Sequence, residues 1–218
     1  LYAQQTPNFT PRTLYVALTG SHTPPYTNWT TAATNIQTAL DAANPGDEVL
    51  VAAGYYNIGG MVAGGMSNRV VIPPYVTLRS QLGAGSTTIA GAWDAATNGP
   101  AAVRVAYVAE QAVLDGFSLQ GGATHYAPDP DDVEDDAEVS GGGALLYGGT
   151  IQNCAIAACA AMQGGGIAMT DAGGTVRKTR ISHNQAAWLG GGAALLGGGM
   201  LLNCEIEYNT ALAAGGVM

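Results

Sequence analysis

Short runs of alternating apolar and polar residues return at a fixed interval in the last third of the chain. The runs begin at Ile151, Val176 and Leu201, so equivalent positions are 25 residues apart. Their apolar residues are spaced by two rather than by 3.6, which is typical of strands and not of helices. A unit of this length is also too short for two helices and their turns. The pattern therefore predicts a solenoid of short strands.

Within each repeat, the alternation predicts which side chains point inwards. Cys154 and Ile156 are expected to face the interior, while Ala155 and Ala157 face outwards. The alternation breaks at Asn153, where we expect a bend, because asparagine tolerates the left-handed backbone conformation. The equivalent breaks in the later repeats fall at Lys178 and Asn203.

Asparagines and glycines punctuate the repeat. Asn184 and Asn209 are equivalent, so they are predicted to stack at about 4.8 Å and to form hydrogen bonds along the stack. Glycine blocks at 164–166, 190–192 and 215–216 predict sharp corners or close backbone approach. A leucine-rich-repeat horseshoe is the rival architecture, but its L-x-x-L-x-L frame is missing. The predicted fold class is all-β, a single-stranded parallel β-helix.

The N-terminal part predicts one amphipathic helix over 31–44. Asn44, Pro45 and Gly46 end its pattern. A helix there would cover the free backbone groups of the first coil and act as a cap. The apolar positions that recur with helical spacing are Ile36, Ala39, Leu40 and Ala43.

These elements divide the chain into two parts. Residues 1–30 form an N-terminal arm with the first strand, and residues 31–218 form the β-helix. The β-helix contains the capping helix and then three further segments. They are irregular coils at 47–122, an acidic insertion at 124–139 and regular coils at 141–218.

Composition excludes several classes of protein. Glycine occurs 32 times without a G-X-Y period, so the chain is not collagen. A hydrophobic share of 47% argues against disorder. No run approaches about 18 apolar residues, so no membrane span is predicted. A net charge of −9 repels phosphate backbones, so general nucleic-acid binding is not expected.

Seven carboxylates crowd one short segment of the insertion. The segment is predicted to be a solvated, mobile loop, because like-charge runs are usually disordered and the spacing of known calcium loops is missing. The alternative is a calcium site built from these oxygen ligands, and calcium is the one cofactor that the chain suggests. The candidate ligands are Asp129, Asp131, Asp132, Glu134, Asp135, Asp136 and Glu138.

Four basic residues on one repeat form the candidate catalytic cluster. Arg177, Lys178, Arg180 and His183 stand out in an acidic protein. A polysaccharide lyase needs a base and a cation beside a uronate, and this cluster offers both types of group. The alternative is structural, because Arg180 is predicted to lie one coil from Glu205 and to form an exposed ion pair.

Three carboxylates raise the separate possibility of a glycosidase. Glu205 and Glu207 alternate onto one outer face, and Asp115 lies on an earlier coil. Such an enzyme needs two carboxylates about 5 to 9.5 Å apart. Exposed carboxylates two residues apart are more often a solvated pair, and the scarcity of aromatic residues disfavours a sugar-binding cleft.

The three cysteines are not predicted to form a disulfide. Cys154 and Cys204 are two coils apart, which places their Cα atoms about 9.6 Å from each other. That exceeds the roughly 7 Å limit for a bridge, and Thr179 lies between them. We expect Cys154, Cys159 and Cys204 to be buried thiols.

A succession of short motifs runs through the chain at Tyr15-Val16, Trp29, 35–37, 45–47, Val51, 54–56 and 114–117. This succession resembles a bacterial family of secreted right-handed parallel β-helix repeat proteins with a pectate-lyase-like superfold. The motifs 164–167 and 181–184 also resemble the GGA(I/L) and FxxN repeats of chlamydial polymorphic outer-membrane proteins, with isoleucine in place of phenylalanine. The resemblance implies a right-handed fold and an extracellular or cell-surface location. It implies little about activity, because the superfold hosts lyases, hydrolases, adhesins and passive surface proteins.

Two functions therefore remain open. The first is a non-catalytic extracellular structural protein, such as a fibre subunit, surface-layer subunit or adhesin. The alternative is a polysaccharide lyase or other carbohydrate-active enzyme that acts on acidic polysaccharide. The chain ends at Met218, partway through a repeat. We expect this end to be covered by head-to-tail self-association, which would give a filament, or by the rest of a longer β-helix.

Overall fold

Short strands cycle among three sheets. The structure, a computed structural model, describes residues 10–95, 98–126 and 136–218. In chain order, successive strands visit sheet A, then sheet B, then sheet C, and then return to sheet A one coil further along. Sheet A contains β1 (Thr13–Val16), β2 (Glu48–Val51), β6 (Thr77–Ser80), β9 (Val113–Asp115), β12 (Thr150–Gln152), β16 (Thr175–Arg177) and β20 (Met200–Leu202).

The other two sheets complete each coil. Sheet B contains β3 (Gly54–Tyr56), β7 (Thr87–Ala90), β10 (Ser118–Gln120), β13 (Ala155–Ala157), β17 (Arg180–Ser182) and β21 (Glu205–Glu207). Sheet C contains β4 (Met61–Ala63), β5 (Met66–Ile72), β8 (Arg104–Val108), β11 (Ala144–Leu146), β15 (Ile167–Met169) and β19 (Ala193–Leu195). A further pair joins β14 (Ala160–Gln163) to β18 (Gln185–Leu189).

The strand register confirms the predicted repeat. Ile156 pairs with Ile181, and Ile181 pairs with Ile206, so neighbouring coils are offset by 25 residues. The paired strands in the three sheets are parallel, except for the hairpin of β4 and β5, which is antiparallel. The described part of the chain is therefore mostly strand, with the parallel, solenoid-like organisation that the sequence predicts.

The predicted inward and outward faces are confirmed in the regular coils. Ile156 and Cys154 are buried, whereas Ala155 and Ala157 are partly exposed. The predicted bend is also present, because Asn153 has a φ of 53°. Its equivalents Lys178 and Asn203 have φ values of 50° and 53°. A second bend in the regular coils, directly after β13, β17 and β21 of sheet B, was not predicted; it falls at Ala158, His183 and Tyr208.

The predicted asparagine stack joins three coils. The backbone N–H of Cys159 donates to Asn184 Oδ1 over 3.0 Å, and the N–H of Asn184 donates to Asn209 Oδ1 over 2.9 Å. The Asn184 and Asn209 amides also donate to the carbonyls of Ile156 and Ile181. Each side chain thus accepts from a backbone N–H that follows a bend and donates to a carbonyl of the strand that precedes the bend.

The predicted close backbone approach occurs at the glycine blocks. A Cβ atom on Gly165 would lie 2.2 Å from the carbonyl oxygen of Gln185 in the next coil. Gly164 makes the corner itself, with a φ of +60°. The corresponding corner at Gly190 comes 26 residues later, because β18 contains one extra residue beside β14.

The predicted helix over 31–44 is much shorter in the structure. Only α1 (Ile36–Asp41) is helical, because Asn35 is extended and caps it by accepting from the Thr38 N–H, while Ala33 forms a parallel bridge with Val16. Helix α1 packs on β1, β2 and β5. The Gln37 side chain pairs with the Val71 backbone, accepting from its N–H over 2.8 Å and donating to its carbonyl over 3.5 Å.

A buried arginine fixes the end of the acidic insertion. Helix α2 (Asp136–Val139) closes that segment. The fully buried Arg104 donates to the carbonyls of Ser140 and Gly141, to Asn68 Oδ1 over 2.9 Å and to the carbonyl of Ala137. These bonds tie the insertion to sheet C. Neither described helix is long and apolar enough to cross a membrane.

Candidate functional site

The four basic residues of the predicted catalytic cluster lie on two different sheets. Arg177 ends β16 in sheet A, and Lys178 forms the bend that follows. Arg180 begins β17 in sheet B, and His183 forms the next bend. The Arg177 Nε donates to Gln152 Oε1 over 2.7 Å, so this guanidinium is bound to the preceding coil.

Arg180 forms the ion-pair ladder that the alternative interpretation predicts. Its Nε lies 3.7 Å from Glu205 Oε2 and donates to Glu207 Oε1 over 2.9 Å. The hydrogen bond that Arg180 donates to Glu207 and the charges of both glutamates raise the pKa of Arg180 above its usual value. The group therefore stays protonated, which excludes it as a general base. Because its side chain is 53% exposed, the pair is expected to add little stability.

His183 also contacts the next coil rather than the other basic residues. Its ring stacks on Tyr208, with centroids 5.2 Å apart and an angle of 30° between the planes. Both residues occupy positive-φ bends at equivalent positions of adjacent coils. Three of the four basic side chains are thus engaged along the solenoid axis with neighbouring coils, instead of converging on one point.

The three carboxylates of the predicted glycosidase arrangement are divided in the same way. Glu205 and Glu207 lie on β21 in sheet B and both face Arg180. Asp115 lies on β9 in sheet A, where it accepts from Gln152 Nε2 over 2.9 Å and from Asn153 Nδ2 over 2.7 Å. Asp115 is therefore hydrogen-bonded to residues of the next coil at sheet A, and it lies on a different sheet from the two glutamates.

Most of the predicted calcium ligands lie outside the described residues. This holds for Asp129, Asp131, Asp132, Glu134 and Asp135. Asp136 begins α2, and Glu138 Oε2 lies 3.4 Å from His125 Nδ1. Among the residues that the structure describes, no cluster of three His, Cys, Asp or Glu side chains is arranged to hold a metal. The calcium site stays a prediction.

The cysteines are free thiols in two different environments. Cys154 and Cys159 are buried, and burial raises the pKa of each to about 12. A thiol with such a pKa stays protonated and is a poor nucleophile or metal ligand. Cys204 is only partly buried, contrary to the prediction, because it lies in the last described coil, where part of the interior stays open.

A groove on sheet B was missed by the sequence analysis. Tyr55 on β3, Trp93 just beyond β7 and Gln120 at the end of β10 line one side of the solenoid. The groove has a volume of about 340 Å³. Its aromatic residues are 38 positions apart in the chain and belong to no repeated motif, so only the stacking of the coils brings them together.

Comparison with models of protein families, with curated proteins and with solved structures finds no match for this chain. The resemblance to secreted β-helix proteins therefore stays a prediction, and function has to be inferred from the geometry of the site.

Proposed function

We propose that this protein is a non-catalytic, right-handed parallel β-helix of the extracellular space or cell surface. The observation that carries the proposal is the ladder from Arg180 to Glu205 and Glu207. In this ladder, Arg180, the cation best placed to neutralise a uronate, is instead bound to two glutamates of the next coil. Arg177 is bound to Gln152 in the same manner. These contacts support a structural role for the cluster, in which its side chains hold neighbouring coils together.

The chemistry of a lyase would need a different arrangement. A base with a pKa near the working pH must reach the sugar proton, while a cation neutralises the carboxylate. Arg180 holds its proton too firmly to be that base, and its charge is already opposed by two glutamates. The enzyme alternative therefore has less support than the structural one.

The right-handed sense and the capping role of α1 belong to the same proposal. Connections between parallel strands of one sheet are right-handed in nearly all proteins, which favours this hand for the coils. Gln37 supports capping by α1, because its amide pairs with the Val71 backbone as a neighbouring strand would.

Self-association is proposed at the opposite end of the solenoid. Strands β19, β20 and β21 each lie at the edge of their sheet. Val217 already pairs with Ala193 of β19. The outward backbone groups of β20 and β21 are available to a further coil, and β20 carries the exposed side chains of Met200 and Leu202. Head-to-tail addition of a second copy is the form of assembly that such an edge supports.

An assay for lyase activity separates the two functions. The protein is incubated with alginate and with pectate, and the ultraviolet absorbance of unsaturated product is followed. We expect no product from the wild-type protein. Turnover that is lost in Lys178→Ala and in Arg180→Ala, while both variants keep the wild-type melting temperature, would overturn the proposal. Sedimentation velocity on the same sample measures self-association.

A further inference from the structure

The groove on sheet B is built by residues that leave the repeat. Tyr55 points outwards from β3, opposite the buried Tyr56, and is 56% exposed. Trp93 is 44% exposed and lies on an excursion after β7. An antiparallel bridge between Ala92 and Val103 holds this excursion, with hydrogen bonds of 3.0 and 2.8 Å. Both aromatic residues are thus presented to solvent from ordered backbone.

Apart from Gln120, the rest of the groove lining consists of small residues. No atom lies within 4 Å of the position where a Cβ atom of Gly121 would stand, so the space above this residue is open. A flat ligand can therefore approach the main chain at Gly121. The other small lining residues are Ala90, Gly91 and Ala158.

One amide provides the polar group of the groove. Gln120 Nε2 donates to Ser118 Oγ over 2.8 Å, which fixes the orientation of the side chain. Within the described residues, Gln120 Oε1 has no hydrogen-bond partner, so it is available to a hydroxyl group of a ligand. A fixed amide beside an aromatic surface is a common arrangement in sites that orient a ligand by a few polar contacts.

None of the residues that line the groove is charged. Arg69 lies beside the groove, where its Nε donates to the carbonyl of Ala90 over 2.8 Å and its Nη1 donates to that of Gly59 over 2.6 Å. Its guanidinium is thus used to fix the lining from the side of sheet C. A groove without charge, in a protein with a net charge of −9, favours a neutral ligand over an anionic one.

We propose that this groove binds a chain of neutral pyranose sugars. The apolar C–H faces of the rings would stack on Tyr55 and Trp93, while Gln120 takes a hydroxyl. The lining residues come from four successive coils, from β3 to the bend after β13. At about 4.8 Å per coil, the groove is roughly 14 Å long, enough for an oligosaccharide rather than a single ring.

This inference rests on the proposed non-catalytic function in one respect, since the glycan is held and released intact. The groove lining offers no carboxylate, histidine or lysine to act as general acid or base. Binding and cleavage are therefore measured separately, so that the two ideas can fail independently.

The test uses the intact chain and a panel of neutral hexasaccharides, namely those of cellulose, mannan, xylan, laminarin and galactan. Hexagalacturonate is the anionic probe, and a polyproline peptide is the probe for a rival ligand of aromatic grooves. Binding is measured by titration calorimetry, and new reducing ends are measured in the same samples. The variants are Tyr55→Ala, Trp93→Ala and Gln120→Ala.

We expect at least one neutral hexasaccharide to bind, with a loss of about tenfold or more in Tyr55→Ala and in Trp93→Ala. Tyr55→Phe keeps the ring and should stay within about threefold of wild type. The matched control is Tyr147→Ala, which removes an exposed tyrosine elsewhere and should bind as wild type does. If Trp93→Ala does not fold, the exposed Tyr55 and Gln120 variants carry the test.

Three results would overturn the inference. They are no binding of any neutral hexasaccharide, binding that survives both Tyr55→Ala and Gln120→Ala, and tighter binding of hexagalacturonate or of the polyproline peptide. New reducing ends from a bound hexasaccharide would instead overturn the non-catalytic function and leave the groove in place. Absence of both binding and cleavage would overturn the groove alone.

Discussion

The regular coils at 141–218 and the earlier coils at 47–122 build the same three sheets in different ways. In the regular coils, like residues recur every 25 positions and bond along the axis, as in the stack from Cys159 through Asn184 to Asn209. In the earlier coils, unlike residues make the contact between coils, as where Arg79 Nε donates to Glu48 Oε1 over 2.7 Å. The hydroxyls of Ser80 and Thr87 pair within one coil over 2.7 Å. The earlier coils also carry a hairpin and the Trp93 excursion. Repetition provides the framework, and the departures from it provide the groove.

The largest effect is expected where the regular coils approach most closely. Gly165→Ala would place a Cβ atom 2.2 Å from the Gln185 carbonyl oxygen, and no flexible side chain can yield there. We expect a loss of about 4 kcal/mol or more in the free energy of unfolding. Gly85→Ala is the control, because no atom lies within 4 Å of its Cβ position. Chemical denaturation measures both, and equal losses would contradict close packing of the coils.

The interior should depend on its stacked isoleucines far more than on the charges outside it. Ile181 is 0% exposed and lies between Ile156 and Ile206, so Ile181→Ala should cost about 2 to 5 kcal/mol. Arg180→Ala, which removes an exposed ion pair, should change the denaturation midpoint very little. Comparable shifts in the two variants would mean that the inward and outward faces are assigned wrongly.

The asparagine stack should be strongest at its centre. Asn184→Ala leaves the buried N–H of Cys159 without its partner and removes a second buried hydrogen bond, the one to the carbonyl of Ile156. At about 1 to 3 kcal/mol for each buried group, we expect a loss of roughly 3 kcal/mol. Asn209→Ala should cost less, because Asn209 is partly exposed. A larger loss in Asn209→Ala, measured by thermal unfolding, would argue against the stack.

Acid should weaken the N-terminal end of the solenoid in particular. Burial of Asp47 acts to raise its pKa, but hydrogen bonds from Arg12 and from the Asn44 N–H outweigh burial, so the pKa lies below 3.8. Because the folded-state value is lowered, Asp47 contributes stability above the unfolded value, and this is lost as the pH falls through the folded value.

Asp47→Asn should therefore be less stable than wild type near neutral pH, and the difference should shrink as the pH falls below about 4. Denaturation midpoints at a series of pH values measure this. Glu48→Gln is the neighbouring control, since Glu48 faces Arg79 on the outer surface. A difference between Asp47→Asn and wild type that is constant with pH would rule out the charge of Asp47 as its cause.

The sequence predicted the features that repetition encodes. The 25-residue register, the bends at Asn153 and its equivalents, the asparagine stack and the pair of Arg180 with Glu205 all follow from aligning one repeat on the next. The bend at Ala158 was missed, because alanine gives no local indication of a positive φ. The length of α1 was overestimated, because helical spacing of apolar residues cannot show that Ala33 bridges to Val16.

The groove was missed for a different reason. Tyr55, Trp93 and Gln120 belong to different coils and share no spacing, so their proximity is a property of the stack and not of any motif. Sites formed by departures from a repeat need coordinates.

A disulfide across neighbouring coils tests the central claim, the 25-residue register, most directly. Thr150 and Thr175 are register partners on the outer face of sheet A. Cα atoms about 4.8 Å apart suit a disulfide. In a Cys204→Ser background, Thr150→Cys with Thr175→Cys should form an intramolecular bridge on mild oxidation, seen as a loss of two hydrogen atoms in the intact mass. The shifted pair, Thr150→Cys with Val176→Cys, should not, because Val176 points inwards. Bridging of the shifted pair in preference to the matched one would contradict the register and, with it, the ladder and the groove.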